Sequence, residues 1–215
     1  MKVYFISGLG ADRRAFYKIT LPRGYQSVYL DWITPLADEG FEDYAKRFSQ
    51  SISRDEEFVL VGLSFGGMLA SELAKIVSPK KLIIISSLSS YKELPWYFKL
   101  AGRLGIHRII SPSVYKRATI MNRFIGAGNK EMKSIVYNYV HNIDPAFIRW
   151  SLNVIVHWSH TERLADLVHI HGSNDHLLPY RYVQADYMIK NGGHLMVMNK
   201  ADEVNSVLQE VLRSA

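Results

Sequence analysis

The sequence predicts an α/β fold: a three-layer sandwich with a mostly parallel sheet of about six strands between helices. Three observations carry this. Short, almost continuously apolar runs such as FVLVG (58–62) and KLIIISS (81–87) have the character of strands buried on both faces. Segments with helical spacing stand between such runs. No internal repeat or low-complexity tract interrupts the alternation.

Taken in order, KVYFIS (2–7) is the first strand and runs into Gly8-Leu9-Gly10. QSVYLDW (26–32) is the second, closed off by Pro35. Phe41, Tyr44, Phe48 and Ile52 then recur at helical spacing. FVLVG leads to the helix MLASELAKIV (68–77), ended by Ser78-Pro79, and KLIIISS follows. DLVHIHG (166–172) and ADYMIKNGG (185–193) complete the strands. A closing helix over 199–213 places Val204, Val207, Leu208, Val211 and Leu212 on one stripe, with Asn199 as its expected cap.

Residues 91–164 break this rhythm and divide the chain into a core of 1–90 and 165–215 and a helical insertion. Helices are expected at 94–104, 113–125, 130–141 and 144–159. The last opens with Asp144-Pro145, a good cap followed by proline at the first helical position. The insertion is rich in aromatics, among them Trp96, Phe98, Tyr139, Trp150 and Trp158, which suit both a packed layer and the roof of a ligand pocket.

With 215 residues, 48% hydrophobic and 21% charged, the chain can bury a sizeable core. No apolar run is long enough to cross a bilayer, so membrane insertion is not expected. The N-terminus reads as a strand and not as a signal peptide. The absence of cysteine excludes disulfides and thiolate metal sites, and a cytoplasmic location is the expectation. The net charge is +6. Much of the excess sits between Tyr91 and Lys133, where Lys92, Lys99, Arg103, Arg108, Lys116, Arg117, Arg123, Lys130 and Lys133 face only Glu93 and Glu131. This reads as a solvated outer face, and no nucleic-acid-binding motif accompanies it.

Ser64 stands in GLSFGG, where the strand at 58–62 meets a helix. A strand that turns sharply into a helix strains its central residue and lifts that side chain above the strand end. Gly62 and Gly66 remove the Cβ atoms that would clash there, and the helix points its first amides at the same place. A serine hydroxyl needs a base, and the base needs an orienting acid. Asp175 lies just beyond one buried strand, in HGSND, and His194 just beyond the next, in NGGH. In a parallel sheet the carboxyl ends of the strands share one edge, so the three loops converge. Glu93 is an alternative acid, and His169, His171 and His176 are rival histidines. His169 and His171 share one side of a strand, but no carboxylate cluster supports a metal there, and none is expected.

On these motifs the chain resembles the α/β-hydrolase superfamily, in particular its small members with a helical cap. The resemblance rests on the elbow GLSFGG, the acid loop HGSND, the histidine loop GGH and the insertion after LIIISS. It implies a minimal version of the fold that lacks the first two strands. It also implies a serine hydrolase: Ser64 attacks, His194 serves as base and then acid, and Asp175 orients the imidazole. The oxyanion donors would be the backbone N–H groups of Phe65 and Leu9. Leu9 sits in a loop that opens Ser7-Gly8 and departs from the common His-Gly. A carboxylic ester is the expected substrate, cleaved through an acyl-enzyme without a cofactor. Thioester, amide and carbon–carbon bond hydrolysis share the same triad. An acyl group with an anionic handle near an insertion Lys or Arg is a further expectation.

Two other classes compete. Gly8-x-Gly10 followed by Asp31 has some of the spacing of a dinucleotide site, but Arg13 occupies the position of its third glycine. A non-catalytic, ligand-binding hydrolase fold is the other, and such proteins usually lack a member of the triad.

Overall fold

The computed structural model describes residues 1–109, 113 and 130–213. The helix expected at 113–125, with Lys116, Arg117 and Arg123, lies outside the described residues but for Ser113. Strands β1 (Lys2–Ile6), β2 (Gln26–Leu30), β3 (Phe58–Leu63), β4 (Lys81–Ile85), β5 (Leu167–Gly172) and β6 (Tyr187–Ile189) form one parallel sheet. Their order is β2-β1-β3-β4-β5-β6.

Side chains alternate across the sheet, which builds a core on each face. Tyr4 pairs with Leu60 and Leu60 with Leu82, all facing helices α1 (Phe41–Phe48) and α2 (Phe65–Val77). Their neighbours Phe5, Val61 and Ile83 face the opposite layer, closed by α7 (Met196–Asn199) and α8 (Ala201–Arg213). Between β4 and β5 come α3 (Trp96–Arg103), α4 (Ile106–Ile109), α5 (Lys130–Asn142) and α6 (Pro145–Val156). Asp144 caps α6 as expected, its Oδ1 accepting from the Ala146 N–H at 2.9 Å. Just beyond α6, the Trp158 indole donates to the buried Glu72 of α2 at 2.7 Å and ties the insertion to the core.

The elements depart from the sequence pattern at their ends. Helix α1 gives way to a 3-10 turn at Ser49–Ser51, although Ile52 is still buried. Helix α2 starts at Phe65 because the turn is confined to Ser64 itself. Asn199 does not cap the closing helix: it is the last residue of α7, a short helix whose four residues are too few to show a period. Strand β2 stops at Leu30, which frees Trp32 to turn back toward the sheet edge.

The strand order places the site. From β1 the chain moves outward to β2, then returns to the other side of β1 to form β3. The loops after β1 and β3 therefore leave the same edge in opposite directions and open a crevice between them. Leu9 follows β1 and Ser64 follows β3.

Candidate active site

Ser64 has φ 53° and ψ −123°, a strained conformation for a residue with a side chain. The surroundings hold it there. Its N–H donates to the Ile85 carbonyl at 2.9 Å, and its own carbonyl accepts from the Ser87 hydroxyl at 2.6 Å. A Cβ on Gly62 would overlap the Gly66 carbonyl, and one on Gly66 would overlap the carbonyls of Ile6 and Ser7. Both glycines of the motif are thus required by close backbone approach, as the sequence pattern implied.

Ser64 Oγ lies 2.9 Å from His194 Nε2, and His194 Nδ1 lies 2.8 Å from Asp175 Oδ2. The other carboxylate oxygen, Oδ1, accepts from the N–H groups of Leu177 and Leu178, each at 2.9 Å. Asp175 and His194 are buried, whereas Ser64 is partly exposed. Burial alone would raise the Asp175 carboxyl pKa. The His194 ring and the Leu178 N–H outweigh it and hold the group below the ordinary carboxylate value. The loops carrying the acid and the histidine are clasped together. Ser173 N–H donates to the Ile189 carbonyl at 3.0 Å and Asn174 N–H to the Gly192 carbonyl at 2.9 Å. Gly172 lies so close to Gly192 that a Cβ would overlap the Gly192 carbonyl oxygen.

The alternative residues are placed elsewhere. Glu93 is buried and accepts from the N–H groups of Ser89 (2.6 Å) and Gln184 (2.8 Å), which joins the β4 and β5 loops. His171 stands behind Asp175: its Nε2 is 2.8 Å from the Leu178 carbonyl and 3.4 Å from Asp175 Oδ2. With Nε2–H given to that carbonyl, Nδ1 accepts from His169 Nε2 at 3.0 Å, which satisfies both nitrogens of His171 and leaves the buried Nδ1 of His169 without a hydrogen bond among the described residues. Burial keeps both neutral, lowering the His171 pKa and pushing His169 down to about 3.

Leu9 and Phe65, the expected donors, line the same cavity as Ser64 and His194. Gly8 sits against the elbow, where an added Cβ would come within 3.4 Å of Ser64 Cβ. That places the Gly8–Gly10 turn beside a serine, where the dinucleotide reading would have a pyrophosphate. A residue that the sequence pattern did not single out joins both donors. The Trp32 indole N–H donates to the Gly8 carbonyl at 3.2 Å, and its ring stacks on Phe65 (centroids 5.1 Å, 13° between planes). The Gly8 carbonyl belongs to the peptide that carries the Leu9 N–H, so this bond orients that donor.

The cavity has a volume of about 200 Å³. Among the described residues, the polar side chains lining it are Ser64, His194 and Tyr139, and none is a Lys or Arg. Lys99 turns away onto the Tyr91 ring (5.1 Å) and the Lys92 carbonyl (3.0 Å). Lys92, Arg103 and Arg108 are not in its lining either, and Lys116, Arg117, Arg123 and the side chains of Lys130 and Lys133 lie outside the described residues.

The model of the Alpha/beta hydrolase family matches residues 3–207. The chain belongs to that family. No curated protein sequence matches this hydrolase. Solved structures resemble it in fold. One is a thermophilic esterase from Thermogutta terrifontis (TM-score 0.70, 15% identity, covering 100% of this chain and 90% of that one). Another is MenH from S. aureus (TM-score 0.74, 15% identity, 100% and 94%). A third is a bromoperoxidase from Bacillus anthracis (TM-score 0.71, 17% identity, 99% and 91%). No helix of the hydrolase is long and apolar enough to cross a membrane among the described residues.

Proposed function

We propose that this hydrolase cleaves carboxylic esters of small molecules through a Ser64–His194–Asp175 triad and an acyl-enzyme. One observation carries the reading: hydrogen bonds of 2.9 and 2.8 Å join a strained serine, a buried histidine and a buried acid from three separate loops. The esterase from Thermogutta terrifontis shares the fold and agrees with it.

His194 Nε2 takes the Ser64 proton as Oγ attacks the ester carbonyl carbon. Negative charge develops on the carbonyl oxygen, within reach of the Phe65 and Leu9 N–H groups, and the α2 N-terminus adds its dipole. The imidazolium returns its proton to the departing alkoxide, which leaves as the alcohol. Water then repeats the sequence on the acyl-enzyme and releases the acid. Asp175 holds His194 in the tautomer whose Nε2 is free to accept. The described part of the insertion, through Leu94, Phe98, Tyr139, Leu152 and Ile155, serves as a cap over this edge.

The test is labelling with a fluorophosphonate probe, followed by peptide mass analysis. The expected adduct is on Ser64, and Ser64→Ala should lose the label and about 10³–10⁴-fold of the turnover. A Ser64→Ala variant that keeps full activity would end the proposal.

A further inference from the structure

The cavity beside Ser64 is polar at the serine and histidine and apolar along much of the rest. Its walls come from distant parts of the chain: Met68 of α2, Leu88 and Leu94 after β4, Phe98 of α3, and Leu152 and Ile155 of α6. The one further polar side chain among the described residues, Tyr139, lies beside the Asp12–Arg14 ion pair, with the Arg14 guanidinium 4.9 Å from its ring centroid. Arg14 is itself exposed and outside the lining. Among the described residues, a carboxylate or ammonium placed between these walls would lose its hydration with no charged side chain to replace it.

Resting on the esterase reading above, we propose that this cavity holds the acyl half of the substrate, a linear uncharged chain of about six to eight carbons. The length comes from the volume. At roughly 30 Å³ for each water-sized group, about 200 Å³ holds six to seven such groups, which suits a hexanoyl chain or an octanoyl chain whose carbonyl carbon stays at Ser64, and not both halves of a larger ester. The acyl half is the one assigned because it stays bonded to Ser64 through both half-reactions. The alcohol must leave to solvent between them, so a largely apolar chamber serves the group that remains. Each methylene moved from water into such a lining is worth about fourfold in kcat/KM until the chamber is full.

Ethyl hexanoate and hexyl acetate have the same atoms and differ only in which side of the ester carries the chain. The wild-type enzyme should favour ethyl hexanoate by at least about tenfold. Among p-nitrophenyl esters, kcat/KM should climb from acetate to hexanoate or octanoate and stop climbing beyond. A monoester of adipic acid, with a charge at the chain end, should react at least about tenfold more slowly than the hexanoate ester. Ile155→Trp should move the optimum to shorter chains, and Leu152→Phe is the second variant should the first fail to fold. Equal rates on the isomeric pair, or an optimum at acetate, would overturn the inference while leaving the esterase reading intact. A wild-type enzyme that cleaves no ester and takes no fluorophosphonate label would overturn both.

Discussion

Replacing Asp175 by asparagine isolates what the acid does. In the wild type, Oδ1 accepts two backbone N–H bonds at 2.9 Å and Oδ2 accepts the His194 Nδ1–H at 2.8 Å. An asparagine has one acceptor oxygen, and the Leu177 and Leu178 N–H groups both require it, because an amide NH₂ cannot accept from them. The NH₂ is therefore left facing His194. As a donor it selects the ring form with Nδ1 bare and the proton on Nε2, directed at Ser64. The histidine then cannot take the serine proton. Turnover should fall about 10⁴-fold, or about 5.4 kcal/mol at 1.36 kcal/mol per decade. The fold should be nearly untouched, since both backbone donors are still satisfied. Asp175→Ala, in contrast, leaves those donors unpaired at a cost of about 1–3 kcal/mol each. Initial rates on p-nitrophenyl hexanoate give the turnover, and ¹⁵N spectra of labelled histidine report which ring nitrogen is protonated. Asp175→Asn activity within tenfold of wild type, with the tautomer switched, would refute the argument.

Two other expectations follow from groups near the site. His169 is held at about 3 in the fold against 6.5 when unfolded, so below pH 6.5 the unfolded chain binds a proton that the native one refuses. His169 should withdraw about 1.4 kcal/mol of stability per pH unit as pH falls from 6.5 toward 5, and His171, also lowered, should add to this. Denaturation midpoints at pH 7 and 5, with His169→Gln giving a shallower slope, check it; an unchanged midpoint contradicts it. Trp32→Phe keeps the stack on Phe65 but removes the N–H to the Gly8 carbonyl. Because it acts through that peptide and does not touch the substrate, kcat should drop by about tenfold with KM little altered, and an unaltered kcat would exclude a positioning role.

The sheet was legible in the sequence because β3 and β4 are buried on both faces, and a run such as LIII has few alternatives to a central strand. The elbow was legible because close backbone approach demands glycine at positions 62 and 66, a constraint written directly in residue identity. Asn199 was misread because a single helical turn has no period. Trp32 gave no signal: an aromatic at a strand end looks the same whether it fills the core or holds a peptide plane. The apolar chamber was out of reach for a different reason. Met68, Leu94 and Ile155 mean nothing together until the fold brings separate parts of the chain to one place.

The clasp between Gly172 and Gly192 makes the loops that carry Asp175 and His194 a single mechanical part. Any drift of one strand end carries its neighbour along, so the bond between His194 and Asp175 is preserved when the sheet edge flexes. The elbow belongs to a different strand pair and is fastened to β4. The β4–β5 ladder, the Ser86 N–H to Ile170 carbonyl bond at 3.0 Å and Glu93 tie the two parts together at the backbone. The side-chain gap between Ser64 Oγ and His194 Nε2 is therefore where strain from a bound chain can be taken up without breaking the sheet. That gap is the adjustable dimension of this enzyme, and efforts to retune its rate have their best leverage there.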